Sequence, residues 1–315
     1  MTLLVALALL AAGLALVVWC AERLVEGVVG TSLGLGVSAF VVSVVFVGFD
    51  PENLAVGAAG AVEGMPGIAL GSVVGAAMVA AGLAFGVTAL VAPMRFAQAP
   101  RRVLLVPLGA IALLAALAFD GMLSRGDGVV LLLAFAIAIL ELLRLSRRGL
   151  DIRATGEVAE TLERTAASTP GRALALLLLS LGGLVLGSEL LVAGSERLLD
   201  RFGLSDTVFG MTVLALAVSA EELARELPAA RQGRAEITFG NVAGSILAFF
   251  LCNAGLIALL RPVPVAPEVL RFYLPVCFLT VAFGVACLAT LRMPRWAGGV
   301  LVVAYGVFFV GAYLR

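Results

Sequence analysis

The stretch that decides the fold is GFDPEN at residues 48–53, inside an otherwise apolar run from Val37 to Val62. Proline removes a backbone N–H and blocks a continuous helix, which leaves carbonyl oxygens without their usual partners. Asp50, Glu52 and Asn53 add side-chain oxygens at the same place. Polar groups of this kind are too costly to face lipid, so the sequence predicts an interrupted helix whose break points into protein.

The composition around this break is that of a membrane protein. Hydrophobic residues make up 62% of the 315 residues and charged residues 13%, and the mean hydropathy is +1.13. One soluble core cannot hide so much apolar surface, so the chain requires lipid around it. Apolar runs long enough to cross a bilayer recur along the whole sequence. We predict an all-α integral membrane protein of about ten transmembrane helices, with the lipid bilayer as its main partner.

The charged residues exclude several kinds of chemistry. The chain has no histidine, and its 21 basic residues are all arginine. Histidine proton relays, histidine-ligated zinc and histidine-based catalytic triads are therefore impossible. An intramembrane aspartyl protease needs a second aspartate opposite Asp50, and the later half of the chain offers none at the matching break. We therefore predict no enzyme activity, no cofactor and no nucleic-acid partner, and the sequence implies no protein partner.

The sequence repeats itself, which is the strongest sign of its organisation. Residues 21–27 (AERLVEG) resemble residues 188–194 (SELLVAG). Further along, residues 52–55 align with residues 221–224, and GSVVG at 71–75 aligns with GNVAG at 240–244. Acidic residues and glycines match in the same order.

Five predicted helices precede the start of the second copy. Because five is odd, the two copies must cross the membrane in opposite directions, as inverted repeats do. We predict a first repeat at residues 1–144 with its polar break at 48–53. A polar cytoplasmic linker follows at 145–171, and a second repeat at 172–315 has its break at 217–222.

The arginines predict the orientation. With the N-terminus outside, 14 of the 21 arginines fall in cytoplasmic turns and six outside. This distribution satisfies the positive-inside rule. We predict a multi-pass protein of the cell (inner or plasma) membrane with both termini external.

The second break, residues 217–222, contains Glu221 and Glu222. Together with Asp50, Glu52 and Asn53 it would supply oxygen ligands only, which suits hard cations such as Ca²⁺, Na⁺ or Mg²⁺. Inorganic cations are therefore the predicted ligands. One turn beyond Glu222, Glu226 is expected to lie at a helix end in cytoplasmic water. An internal ion pair with Arg225, or a place on an access path, is the alternative.

At these residues the chain resembles the Ca²⁺/cation antiporter superfamily, which contains the Na⁺/Ca²⁺ exchangers. Their two α-repeats carry G-T-S-L-P-E on one helix and G-N-x-x-G-S-N on the next, and the match is closest over residues 187–245. The resemblance implies that Glu222 takes the place of a cation-binding glutamate. It also implies that Ser219 and Ser245 supply hydroxyl ligands.

The chain departs from this pattern at several positions. Val218 and Glu221 replace the threonine and the proline of the second repeat, and the first motif is one residue short. Glu52 therefore matches Glu222 by chemistry, whereas internal alignment pairs Glu52 with Glu221 and Asn53 with Glu222. One turn after the Ser245 position the family usually has Asn or Asp. The two equivalent positions here are Ala80 and Phe249.

The resemblance implies a secondary active antiporter that exchanges Ca²⁺, or a similar hard cation, for Na⁺ or H⁺ by alternating access. These ions would be bound only as transported cargo. A Na⁺/H⁺ or Mg²⁺ exchanger on the same fold is an alternative. So is a transporter-like protein with a degenerate site that acts as a cation sensor or scaffold.

Overall fold

The computed structural model describes residues 3–36, 50–96, 101–147, 170–233 and 235–314. Within these ranges nine helices are long and apolar enough to cross a membrane. The predicted helix that begins at Val37 lies partly outside the described residues, and its second part is the helix Pro51–Glu63. The all-α, multi-span fold with two repeats is confirmed. The linker and the repeat boundaries at 145–171 stay predictions.

Apart from α7, which has no counterpart among the described residues of the first half, the two halves contain the same kinds of element in the same order. The elements of the first half are α1 (Leu3–Gly34), α2 (Pro51–Glu63), α3 (Pro66–Val91), β1 (Met94–Arg95), α4 (Arg101–Leu117), β2 (Met122–Leu123) and α5 (Arg125–Arg147). Those of the second half are α6 (Pro170–Phe202), α7 (206–218), α8 (Glu221–Arg231), α9 (235–260), β3 (Val263–Pro264), α10 (Val269–Leu288), β4 (Arg292–Met293) and α11 (Arg295–Tyr313).

The inversion of the repeats is visible where α1 meets α6. Gly13 of α1 lies so close to α6 that a Cβ there would be 2.5 Å from the Leu191 nitrogen. Gly27, further along α1, lies against Leu177, which comes earlier in α6. The two helices are therefore antiparallel. Since residues 21–27 and 188–194 are equivalent in sequence, equivalent helices run in opposite directions.

The halves also cross closely at α3 and α7. A Cβ on Gly71 of α3 would lie 2.3 Å from the Gly210 carbonyl carbon of α7, so only glycine permits this approach. At the start of α3, the Gly67 N–H donates to Asp206 Oδ2 at 2.7 Å. The Asp206 carboxylate thus satisfies one of the free N–H groups at the N-terminus of a helix from the other half.

Two short antiparallel strand pairs join the halves in a reciprocal way. β1, which follows α3, pairs with β4 through Met94 and Met293. β2, which precedes α5, pairs with β3 through Leu123 and Val263. β3 follows α9, the repeat equivalent of α3, so each pair mirrors the other with the halves exchanged.

The same symmetry extends to irregular turns inside the helices. The π-helical segments Val79–Ala84 of α3 and Ala248–Asn253 of α9 occupy equivalent positions in the two repeats. Further π-helical segments lie at Gly71–Gly75, Gly210–Leu214 and Val269–Tyr273. Such bulges are rare in α-helices and are frequent at functional sites.

Candidate cation site

In the first repeat, the break ends where α2 begins. Asp50 has an extended backbone (φ −133°, ψ 90°) and caps the helix, with Pro51 as the first helical residue. The Asn53 backbone N–H donates to Asp50 Oδ1 at 2.9 Å. Proline is well suited to this position because the first N–H of a helix has no intrahelical partner. Residues 48 and 49 of the predicted break lie outside the described residues.

The second break occurs between α7 and α8. Helix α7 ends at Val218, Ser219 and Ala220 form a turn, and α8 begins at Glu221. This interruption falls within residues 217–222 even though no proline is present. The Ser219 N–H still donates to the Ala215 carbonyl at 2.9 Å, and the Ser219 carbonyl accepts from the Glu222 N–H at 3.2 Å.

Three carboxylates from the two breaks come together. Asp50, Glu52 and Glu221 each offer an oxygen, and these oxygens all lie within 4.8 Å of one another. Asp50 and Glu52 are buried and Glu221 is half-buried. All three sit at the N-terminal ends of α2 and α8, where the helix dipole favours negative charge. The arrangement can surround one cation with oxygens contributed by both repeats.

Asn53 links the two breaks directly. Its Nδ2 donates to Asp50 Oδ2 at 2.9 Å and to Ser219 Oγ at 2.9 Å. Both of its amide hydrogens are thus used within the site. The predicted residues Asp50, Asn53 and Ser219 therefore form one buried hydrogen-bonded chain across the repeat interface.

Glu222 occupies a different environment from Glu221. It is 1% exposed, and its two carboxylate oxygens accept from Asn241 Nδ2 at 2.6 Å and from Ser245 Oγ at 3.2 Å. Among the described residues, Glu222 does not belong to the three-carboxylate group. Ser245, for which the resemblance implies a ligand role, lies next to Glu222. Asn241, which entered the sequence analysis only through the alignment of GNVAG with GSVVG, is a polar partner that the sequence did not predict.

The residues at which α2 and α8 begin indicate how the first motif aligns with the second. Glu52 is the second residue of α2, and Glu222 is the second residue of α8. This correspondence agrees with the chemical match between Glu52 and Glu222. The side-chain contacts pair the residues of the two breaks differently. Glu52 lies near Glu221, and Asn53 contacts Ser219.

The expectation for Glu226 was wrong. Its side chain is 1% exposed, so it does not lie in water at the end of α8. The helix continues to Arg231 and packs against α3 and α9, which enclose Glu226. The alternative was an ion pair between Glu226 and Arg225, and the Arg225 side chain lies outside the described residues.

The two positions without oxygen ligands are both buried. Ala80 and Phe249 are 0% exposed and lie in the equivalent π-helical segments of α3 and α9. The large Phe249 ring occupies interior volume where the family pattern has a polar side chain. Among the described residues, the three carboxylates that lie together are found instead at the starts of α2 and α8, in Asp50, Glu52 and Glu221.

Comparison with known proteins places this geometry in a family. The model of the sodium/calcium exchanger protein family matches residues 5–143 and again residues 172–314. Inner membrane protein YrbG of Escherichia coli (strain K12) is 28% identical, over 98% of this chain and 96% of that protein. Sodium/calcium exchanger MaX1 of Methanosarcina acetivorans is 35% identical over 42% of this chain and 39% of that protein.

The solved structures of the sodium-calcium exchanger NCX_Mj show the same fold. One of them, soaked with Na⁺ and Sr²⁺, superposes with a TM-score of 0.62 at 23% identity, and the match covers 98% of this chain and 99% of that one. Because the family model covers most of the sequence in two copies, this chain belongs to the sodium/calcium exchanger family and is a multi-pass membrane cation antiporter, not an enzyme.

Proposed function

We propose that the protein exchanges Ca²⁺, or a similar hard divalent cation, for Na⁺ or H⁺ across the membrane. The observation that carries the proposal is the group of Asp50, Glu52 and Glu221, whose carboxylate oxygens lie within 4.8 Å of one another. Three carboxylates drawn together away from bulk water repel one another. A cation or protons must therefore compensate them.

The ligand chemistry supports a hard cation as cargo. The polar side chains at the breaks offer carboxylate, amide and hydroxyl oxygens, and neither sulfur nor imidazole is among them. Ca²⁺ takes six to eight oxygen ligands in flexible geometry, roughly what two carboxylate-bearing helix starts can provide. The name of the relative MaX1, a sodium/calcium exchanger, supports the same choice of ions.

The placement of the site suits alternating access. The carboxylates sit on helix starts that belong to inverted halves, and Asn53 and Ser219 connect those halves directly. Rocking of the halves about such a site would expose it to one side of the membrane and then the other. The proposed cell membrane location and external termini rest on the distribution of the arginines.

Ion flux in proteoliposomes tests the proposal. The purified protein should drive ⁴⁵Ca²⁺ uptake when a Na⁺ or H⁺ gradient is imposed, and Glu52→Gln should reduce this uptake at least about tenfold. Such a loss corresponds to about 1.4 kcal/mol of lost cation stabilisation. Glu196→Gln on the exposed surface of α6 is the matched control, because it makes the same chemical change outside the site. Equal uptake by the parent and Glu52→Gln would refute the assignment of the site.

A cation sensor or scaffold is the second candidate function. The observation that favours it is the loss of oxygen at the two buried positions Ala80 and Phe249. A sensor would bind Ca²⁺ and gain thermal stability from it, but would carry no flux under any gradient. Thermal-shift titration and flux, measured on the same preparation, separate the two functions.

A further inference from the structure

Asn253 is a polar residue in the protein interior that neither helix break contains. It ends the π-helical segment Ala248–Asn253 of α9, and its side chain is 0% exposed. Neither its amide nitrogen nor its amide oxygen has a hydrogen bond among the described residues. Burying an amide without partners is costly, so this position calls for a polar partner that the neighbouring side chains do not supply.

The other two asparagines of the chain are satisfied by protein. Asn53 donates both amide hydrogens across the helix breaks, and Asn241 donates to Glu222. All three asparagines are buried to a similar degree. Asn253 therefore stands out by its missing partners and not by its burial.

The direction of the helices determines which residues lie beside Asn253. Helix α9 runs antiparallel to α3, because its residues 248–253 pack on residues 71–75 and its residues 235–247 pack on residues 79–84. Helix α2 is joined to α3 by a two-residue turn and also runs antiparallel to it. Helices α2 and α9 are therefore parallel to each other.

One close contact shows how α2 and α9 are aligned. A Cβ on Gly57 of α2 would lie 2.5 Å from Ile257 Cδ1 of α9, so these two residues are at the same level. One turn earlier on the two parallel helices are Asn53 and Asn253, and residues four apart share a helix face. Asn253 therefore faces the start of α2, where Glu52 and Asn53 are buried.

Two further neighbours of Asn253 are apolar. Phe249, one turn earlier on α9, is fully buried and carries no oxygen. Helix α5 packs against this part of α9, and none of its residues 128–139 has a polar side chain. These neighbours offer the Asn253 amide no hydrogen bond, whereas the start of α2 brings the carboxylates of the candidate site.

We propose that Asn253 is a further ligand of the cation held by Asp50, Glu52 and Glu221, and that its amide oxygen takes over from the polar group that Phe249 lacks. Three carboxylates already exceed the charge of a divalent ion, so a neutral oxygen completes the coordination without adding charge. The partner that the buried amide calls for is then the transported ion. This inference rests on the proposed cation antiport and adds to it a ligand from outside the two helix breaks.

Substitution by leucine tests the proposal on the full-length protein in detergent, because leucine has nearly the shape of asparagine but no polar atom. Asn253→Leu should weaken ⁴⁵Ca²⁺ binding in equilibrium dialysis at least about tenfold, since a ligand of the ion is lost. The melting temperature of the ion-free protein should stay the same or rise, because an unpaired buried amide is removed. A purely structural asparagine would give the opposite result, a lower melting temperature with unchanged affinity.

Tyr305→Phe is the matched control. The Tyr305 hydroxyl is also buried and has no hydrogen bond among the described residues, but it lies on α11, which packs on the later part of α3 and on α10. Removing this hydroxyl changes the burial of a polar group in the same way, away from the start of α2. Ca²⁺ affinity should be unchanged, and an equal loss in both variants would contradict a specific role for Asn253.

Asn253→Asp separates the amide oxygen from the amide hydrogens. Aspartate keeps an oxygen at the same place, so this variant should bind Ca²⁺ within about threefold of the parent or more tightly. A loss as large as that of Asn253→Leu would show that the hydrogens matter and would overturn the proposal. The aspartate variant decides the question by itself if Asn253→Leu does not fold.

The outcomes distinguish this proposal from the proposed function. If the parent binds Ca²⁺ and Asn253→Leu binds it equally tightly, Asn253 is not a ligand, and the proposed antiport is unaffected. If the parent binds no Ca²⁺, both proposals are wrong.

Discussion

Asn53 and Ser219, which are 166 residues apart in sequence, are joined by a hydrogen bond of 2.9 Å from Nδ2 to Oγ. Each residue lies at the broken helix of its own repeat, so this bond connects the two halves within the candidate site. The second hydrogen of the same amide is donated to Asp50 Oδ2. Asn53 thereby holds the Asp50 carboxylate in a fixed position relative to the other half.

The first prediction concerns this link. Asn53→Ala and Ser219→Ala should each weaken Ca²⁺ binding about fivefold or more, because a buried hydrogen bond contributes about 1 kcal/mol. The double variant should lose less than the product of the two single losses, since both changes remove the same bond. Ca²⁺ titrations on the four proteins of this cycle provide the measurement. Strictly multiplicative losses would show that the two residues act independently.

The second prediction concerns the contact between α1 and α6. Gly13→Ala should lower the melting temperature markedly, because the new Cβ would lie 2.5 Å from the Leu191 nitrogen and force the helices apart. Gly182→Ala on α6 is the matched control, since nothing lies within 4 Å of a Cβ there. The control should be neutral or stabilising by up to about 1 kcal/mol through helix propensity. Similar thermal unfolding curves for both variants would contradict the close packing.

The third prediction concerns the cap that the second half gives to α3. Asp206→Ala removes the acceptor of the Gly67 N–H and should destabilise the protein by about 1–2 kcal/mol. Asp200→Ala makes the same change at an exposed position of α6, where the described residues provide no comparable hydrogen bond. Thermal unfolding in detergent compares the two variants. A larger loss in the Asp200 variant would show that the cap contributes little.

The fourth prediction concerns the reciprocal strand pairs. Met94→Cys with Met293→Cys, and Leu123→Cys with Val263→Cys, should form disulfides when the four native cysteines are replaced by alanine. Directly opposed residues of antiparallel strands lie within the Cα separation that a disulfide needs. Mobility on non-reducing gels detects the bond.

Transport should survive the Met94–Met293 cross-link. The end of α3 already packs on the start of α11, where a Cβ on Gly298 would lie 2.5 Å from the Gly86 oxygen. A bond there joins elements that are in contact anyway. If oxidation abolishes ⁴⁵Ca²⁺ uptake and reduction restores it, β1 and β4 must separate during the transport cycle.

The sequence predicted the parts of the fold that depend on pattern alone. The match between residues 21–27 and 188–194, and the odd number of helices between them, predict antiparallel equivalent helices, which is how α1 and α6 pack. The polar runs at 48–53 and 217–222 predict interrupted helices, and α2 and α8 begin within them. Both inferences need only helix periodicity and the cost of polar groups in lipid.

The sequence could not predict which carboxylates lie together. Glu221 and Glu222 are neighbours at a helix start, and successive residues of a helix point about 100° apart. Which of the two meets Asp50 and Glu52 depends on the rotation of α8, and that is set by packing against α3 and α9. The burial of Glu226 has the same origin, because those two helices cover a segment whose own composition is polar.

The reciprocal strand pairs affect how the two halves of the chain would assemble if they were made as separate fragments. Each half provides one strand to each pair, and glycines of each half pack against the backbone of the other half. A gene divided within codons 148–169 would thus encode two fragments whose inner surfaces stay uncovered when each is made alone. Produced together in one cell, the fragments should recognise each other and rebuild the carrier, which makes this protein suited to split-protein complementation.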